Sequence, residues 1–360
     1  MTIALEYPAL SSTAISLPAR FQASYTTRLV AVGVEKRRGD FWLETASTPQ
    51  AGDVVIARVT KINNHKRVET PESRKAILFE GALVMLAYGH RYAADQFLAH
   101  VPGDLGPCHL VAAGGIAGMV TALHDQMDEP TEIEPLGLLT NANGTVNVRD
   151  FAAFDNPLKV ESSTKNAQVI AVLGTSMNSG KSTTLACLVN GLTAAGRKVA
   201  AGKITGTGAG NDRMIYHDAG AHSVIDFTDF GYPTTFKLNF AEIRALSVNM
   251  INVLADTGAD TVIVEIADGI YQGETSRLLR DQVFQEAVDH VVFSAVDALG
   301  AKAGVEELQS AGLDVVAASG IMTASPLATA EAAAVLDVQV VPTFDLTNPK
   351  IVTAVLTDHA

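Results

Sequence analysis

Val169-Ile-Ala-Val-Leu-Gly-Thr-Ser-Met-Asn-Ser-Gly-Lys-Ser-Thr183 is the stretch that decides the fold. Val169–Leu173 is apolar without alternation, which reads as a strand buried on both faces. A glycine-bounded loop follows, and then Leu185, Leu188, Val189 and Leu192 recur at helical spacing up to Gly196. Strand, loop and helix in that order form the context that a phosphate-binding loop requires. Gly174, Thr175, Asn178, Ser179, Gly180, Lys181, Ser182 and Thr183 are therefore the candidates to bind a nucleotide. Backbone N–H groups of such a loop and of the helix N-terminus cradle phosphate oxygens. Lys181 is expected to reach the β- and γ-phosphates, and the Ser182 hydroxyl to ligate Mg2+. A glycine turn that merely joins strand to helix would not need Gly-Lys-Ser-Thr at the first helical turn.

Outward from this loop, apolar segments alternate with helical patterns. The strand candidates are 169–173, 199–204, 261–266, 290–295, 314–318 and 338–344. Between them, Ile243, Leu246, Met250, Val253 and Leu254 share one face of a helix over 241–255. The fold class this predicts is α/β, a mainly parallel sheet covered by helices on both faces. Residues 1–150 have a different texture. Short strand candidates at 28–34, 41–45, 53–60, 75–79 and 145–148 are punctuated by turns at Gly39-Asp40, Gly52-Asp53 and Asn143-Gly144. They predict a smaller β-rich module, a small barrel or sandwich, to which 82–99 adds a helix. The aperiodic 151–166, with its proline and Ser162-Ser163-Thr164, is the expected linker, leaving 167–360 as the nucleotide-binding domain.

Composition narrows the partners. A net charge of −13 repels phosphate backbones, so no nucleic acid is expected. No apolar run approaches the ~18 residues that span a bilayer, so no membrane is expected either. The first basic residue is Arg20, which argues against a signal peptide. Two cysteines, Cys108 and Cys187, make no disulfide framework and suit a cytoplasmic protein. Cys108, beside His109, is either a nucleophile or metal ligand or a small buried residue, the commoner case.

The loop has a further particularity. Five residues separate Gly174 from Gly180, and Thr175 takes the place of the usual first glycine. Gly-Thr-x-x-x-x-Gly-Lys-Ser/Thr-Thr resembles the loop of the dethiobiotin synthetases and of the cobyrinic acid amidating synthetases. Partitioning ATPases of the same broad class carry a lysine five positions before Lys181, where this chain has Ser176; the synthetase usually has aspartate there. Gly202-Lys203-Ile204-Thr205-Gly206 is similar to the synthetase's Lys-Pro-Val segment, whose lysine touches phosphate and the reacting substrate, which makes Lys203 the second candidate catalytic residue beside Lys181. Val264-Glu265-Ile266-Ala267-Asp268-Gly269 resembles Val-Glu-Gly-Ala-Gly-Gly, whose glutamate binds Mg2+; Ile266 and Asp268 replace glycines. Asp212 resembles the second acidic Mg2+ ligand, or else is a helix N-cap. The resemblance covers about half of the chain and says nothing of residues 1–150.

Several other groups carry two readings. His217 is a general base or a surface histidine. Arg277 and Arg280 clamp substrate charge, or follow a helix start capped by Thr275 or Ser276. Asn63–Arg67 and Gly89–Tyr92 recognise an anion or are solvated loops. The glycine turn after Pro107-Cys108-His109 binds phosphate or packs tightly. The region 319–326 should face the base; it lacks the Asn-Lys-x-Asp guanine motif, which favours ATP. The resulting expectation is an ATP- and Mg2+-dependent ligase or cyclising enzyme, a homodimer acting on a carboxylate-type small-molecule substrate. The alternatives are a nucleotide-switched accessory protein delivering a metallocofactor, and a small-molecule or polynucleotide kinase.

Overall fold

The computed structural model of the protein describes residues 13–160 and 166–357. Its contacts divide into two compact units. The first comprises Met1–Tyr92 and Gln96–Ala152, the second Ala93–Asp95 and Ala153–Ala360. Of the expected linker, 161–165 with Ser162, Ser163 and Thr164 lies outside the described residues. Phe154 and Asn156 belong to the second unit, the Phe154 ring 5.4 Å from that of Phe230 and Asn156 Nδ2 2.9 Å from Tyr232 Oη.

The second unit is one parallel sheet with helices on both faces. Its elements are β1 (Gln168–Gly174), α1 (Lys181–Ala194), β2 (Val199–Lys203), α2 (Gly210–Asp218), β3 (Ser223–Asp226), α3 (Phe240–Asp256), β4 (Thr261–Glu265), α4 (Gly273–Leu278), α5 (Gln282–Ala287), β5 (His290–Ser294), α6 (Ala298–Ser310), β6 (Val315–Ser319), α7 (Pro326–Val335), β7 (Gln339–Val340) and α8 (Pro349–Thr357). The strand order is β3-β2-β4-β1-β5-β6-β7. Side chains alternate along β1, and both faces find a core. Val169, Ala171 and Leu173 join the cluster that includes Ile243, Leu246 and Phe293, while Ile170 and Val172 join the one that includes Leu185, Leu188 and Val355. This double burial is why β1 reads as an unbroken apolar run. Ser223–Asp226 is an edge strand that the sequence reading did not expect. The expected strand over 338–344 shrinks to Gln339–Val340, followed by a 3-10 turn at Thr343–Thr347.

The first unit contains a closed barrel. Val54–Lys61 pairs with both Leu83–Tyr88 and Thr131–Asn141, Ile116–Leu123 pairs with Leu83–Tyr88, and Cys108–Ala112 closes the ring by pairing with Ile116–Leu123 and Thr131–Asn141. Val55, Ala57, Val59, Val84, Leu86 and Tyr88 fill the same core as Leu110 and Ile133. Their chain neighbours Val54, Ile56, Met85 and Ala87 belong to a second core with Val30, Ala31 and Val34. Two expectations are corrected here. Arg28–Lys36 is an α-helix and not a strand, and 82–99 contains the strands Leu83–Tyr88, Arg91–Tyr92 and Phe97–His100 in place of a helix. Among the described residues, no helix is long and apolar enough to cross a membrane.

Candidate functional site

The chain turns from β1 into α1 through Gly174–Gly180. Gly180 is the residue before the helix and sits at φ 97°, a left-handed conformation that favours glycine. Lys181 opens α1; the residue is only 6% exposed, and its ammonium folds back to donate to the Ser176 carbonyl at 2.7 Å. Burial pulls its pKa down, against the opposing pull of Glu265 and Asp268. The loop is also tied to the end of β6, because the Ile321 N–H donates to the Ser179 carbonyl at 3.0 Å. The region 319–326 therefore lies against the loop.

β2 and β4 are neighbours, and Lys203 and Glu265 stand opposite one another at their carboxyl ends. Lys203 Nζ lies 3.1 Å from Glu265 Oε1 and is bonded to the Asp212 carboxylate. Burial disfavours the Lys203 charge, but Glu265 and Asp212 outweigh it and hold its pKa above the ordinary lysine value. Burial likewise pushes Asp212 up, and Lys203 overrides this, so that its carboxyl titrates below the usual range. Ser182 Oγ donates to Glu265 Oε2 at 2.8 Å. The structure thus brings Ser182, Lys203, Asp212 and Glu265 into one connected cluster at the open end of the sheet. Lys181 adjoins it, on the evidence of its electrostatic coupling to Glu265, Lys203 and Asp212. Asp212 is no N-cap: that position is Ala209, and Asp212 points from the first turn of α2 onto Lys203.

The residues present fit a magnesium nucleotide. Thr175 Oγ1 and Ser179 Oγ are buried without a hydrogen-bond partner, two polar atoms in the loop left for a ligand to satisfy. The donors Ser182, Glu265 and Asp212 are hard oxygen ligands. Among the described residues no three His, Cys, Asp or Glu side chains are grouped to hold a metal by themselves. Two carboxylates and a hydroxyl suit Mg2+, which is bound by one or two carboxylates together with substrate phosphates.

The other singled-out groups lie elsewhere or are engaged. His217 is exposed, 3.7 Å from Asp218. Arg277 stacks over the Phe240 ring at 4.3 Å, and Arg280 pairs with Glu307. The helix that bears Arg277, which ends two residues before Arg280, is capped by Gln272, not by Thr275 or Ser276. Arg91 is buried and donates to the Val111 carbonyl and to Gln96, so it is no solvated anion receptor. The carbonyls of Gly114 and Gly115 accept from Thr26, which makes that turn a packing device. Cys108 is buried in the barrel, and burial pushes its thiol up to about 12, which removes the nucleophile reading. Tyr216 was missed by sequence reasoning. It is 1% exposed and its hydroxyl donates to Glu265 Oε2. Its position one helical turn beyond Asp212 was the available signal.

No protein-family model and no curated protein sequence matches the chain. Solved structures overlap it in part. The signal recognition particle receptor FtsY from Elizabethkingia anophelis, in complex with GDP, is 19% identical with a TM-score of 0.33, over 47% of this chain and 54% of that one. The signal recognition particle 54 kDa protein from Aeropyrum pernix K1, in complex with GDP, is 18% identical with a TM-score of 0.37, over 59% and 51%. The septum site-determining protein MinD from Pyrococcus horikoshii OT3, complexed with Mg-ADP, is 14% identical with a TM-score of 0.34, over 54% and 96%. The chain thus spans little more than half the length of the first of these.

Proposed function

We propose that this protein is a Mg2+- and ATP-dependent enzyme of the ligase or cyclising type that activates a carboxylate-type small metabolite by phosphoryl transfer. The observation that carries the reading is the cluster at the ends of β2 and β4. A buried lysine is held there between two carboxylates, one of which also accepts from the serine that follows the loop lysine.

Phosphoryl transfer requires positioning and offsetting of charge on the transferring group more than covalent participation by the protein. Gly174–Thr183 would hold the phosphates, and Lys181 would exchange its bond to the Ser176 carbonyl for a phosphate oxygen. Ser182, Glu265 and Asp212 would hold Mg2+, which supplies charge neutralisation at the phosphates. Lys203 stays protonated at neutral pH, and it would sit beside the terminal phosphate and the attacking group. The substrate carboxylate oxygen attacks the γ-phosphorus, the bond from phosphorus to the bridging oxygen breaks, and ADP leaves with the electron pair. An amine then attacks the acyl phosphate, loses a proton and releases phosphate. The base would lie toward 319–326, where Ile321 is exposed.

The test is ADP and phosphate release from Mg-ATP in the presence of pooled metabolites, fractionated to the active component. A metabolite-dependent release that Lys181→Ala abolishes is the expected result. Equal nucleotide affinity in Lys181→Ala and the parent would remove the phosphate-loop assignment. Stimulation by a protein partner and by no metabolite would point instead to a nucleotide-switched accessory protein. A phosphorylated metabolite with no condensed product would point to a kinase.

A further inference from the structure

We infer that Tyr216 is a positioning residue of this site, acting through the Glu265 carboxylate; the inference rests on the magnesium-nucleotide reading above. Glu265 is 1% exposed and its two oxygens are divided between different neighbours. Oε1 faces Lys203 at 3.1 Å, while Oε2 accepts from both Ser182 Oγ and Tyr216 Oη. Tyr216 lies four residues after Asp212 on α2, so one face of one helix supplies a carboxylate to Lys203 and a hydroxyl to the carboxylate opposite it. The ring itself is buried in the same core as Ile170, Leu188, Ala201 and Ile263, which restricts where the hydroxyl can lie.

A buried carboxylate facing a loop could turn its oxygens in several ways. With Lys203 on one oxygen and Tyr216 on the other, one orientation is selected, and Oε2 is left beside the Ser182 hydroxyl. That oxygen and Ser182 are the pair a metal ion would share. Groups that orient a metal-binding carboxylate in this manner set metal affinity although they never touch the metal. The arrangement also ties α2 to α1, because Tyr216 and Ser182 donate to the same glutamate oxygen, beside the bond from Asn190 Nδ2 to the Ala219 carbonyl.

The test uses the full chain and the variant Tyr216→Phe, which keeps the ring in the core and removes only the hydroxyl. Binding of a fluorescent N-methylanthraniloyl-ADP is titrated with Mg2+ and, separately, measured in EDTA. The Mg2+ concentration needed for half-maximal binding should rise roughly 10- to 100-fold, and the affinity in EDTA should stay as in the parent. A hydroxyl that serves stability alone would lower Tm on its removal and leave the Mg2+ requirement unmoved, and that result overturns the inference. Lys181→Ala, measured alongside, separates the two levels of failure. If it loses nucleotide while Tyr216→Phe behaves as the parent, the phosphate-loop reading stands and the role of Tyr216 falls. If Lys181→Ala binds as tightly as the parent, both fall.

Discussion

Lys203 keeps its charge in an interior position because Glu265 and Asp212 meet it there; a buried ammonium without partners would give up its proton. The sequence made this residue legible through its place at the end of an apolar strand and through the resemblance of 202–206 to the synthetase segment, since a lysine in that position is otherwise an ordinary surface group. Glu265 was legible in the same way, at the end of the apolar run Val262–Val264. Tyr216 was not, because a tyrosine on an amphipathic helix reads as core until the carboxylate opposite it is known. If Lys203 acts on the transferring phosphoryl group, its contact strengthens in the transition state. Lys203→Ala should then lower kcat by roughly 100-fold or more, with a much smaller change in ATP affinity. Steady-state kinetics beside a binding titration decide this. A loss confined to affinity would mean that Lys203 only holds the ground state. Removing one member of a buried ion pair also costs stability, on the order of 3–5 kcal/mol, so both measurements belong well below the variant's Tm.

At the level of elements, the misread segments share a physical cause. Arg28–Lys36 is rich in β-branched residues, yet Val30, Ala31 and Val34 are its buried positions, a helical spacing that propensity masked. Leu83–Tyr88 lacks alternation because it is covered on both faces, by the barrel core on one and by the core shared with Val30 and Val34 on the other. A short run buried on both sides cannot be told from a helix by periodicity. The helix after the phosphate loop, by contrast, was read from its pattern, and it contains a glycine with a definite reason. A Cβ on Gly191 would lie 2.0 Å from the Leu346 carbonyl oxygen, so α1 can approach the turn at Thr343–Thr347 only without a side chain there. Alanine is the better helix former by about 0.8–1 kcal/mol. Overpacking against backbone costs roughly 1–3 kcal/mol or more. The clash should win, and Gly191→Ala should lower stability in chemical denaturation. A gain in stability would show that the turn can retreat from the helix freely.

For the molecule as a whole, the parallel sheet was legible because each strand announces itself locally and right-handed crossovers leave few ways to order them. The barrel was legible only as one of two alternatives for a β-rich module, a small barrel or a sandwich. Its closure depends on Cys108–Ala112 bridging two strands, a long-range pairing with no local signature. Each unit has its own core, so solution conditions that act on one need not act on the other. His65 offers such a condition. Its ring lies 5.8 Å from that of Phe97 in the first unit, where burial, and then the nearby Arg91 charge, pull its pKa from 6.5 down to about 4. Above pH 6.5 the imidazole is neutral in both the folded and unfolded chains, and its contribution to stability is complete. As pH falls from 6.5 toward 4, the unfolded chain takes up a proton that the folded one refuses, so stability drops; below about 4 both are protonated and the loss is finished. The ring is only half-buried, so the size of the effect is discounted to about 1–2 kcal/mol from the full linkage value. His65→Gln should therefore flatten the dependence of the first unit's Tm on pH between 6.5 and 4, and leave the melting of the second unit on its original curve. Followed by calorimetry across that range, an unchanged slope in the variant would mean that His65 takes up its proton in the folded chain as it does in the unfolded one, and that neither its burial nor the Arg91 charge keeps the proton away.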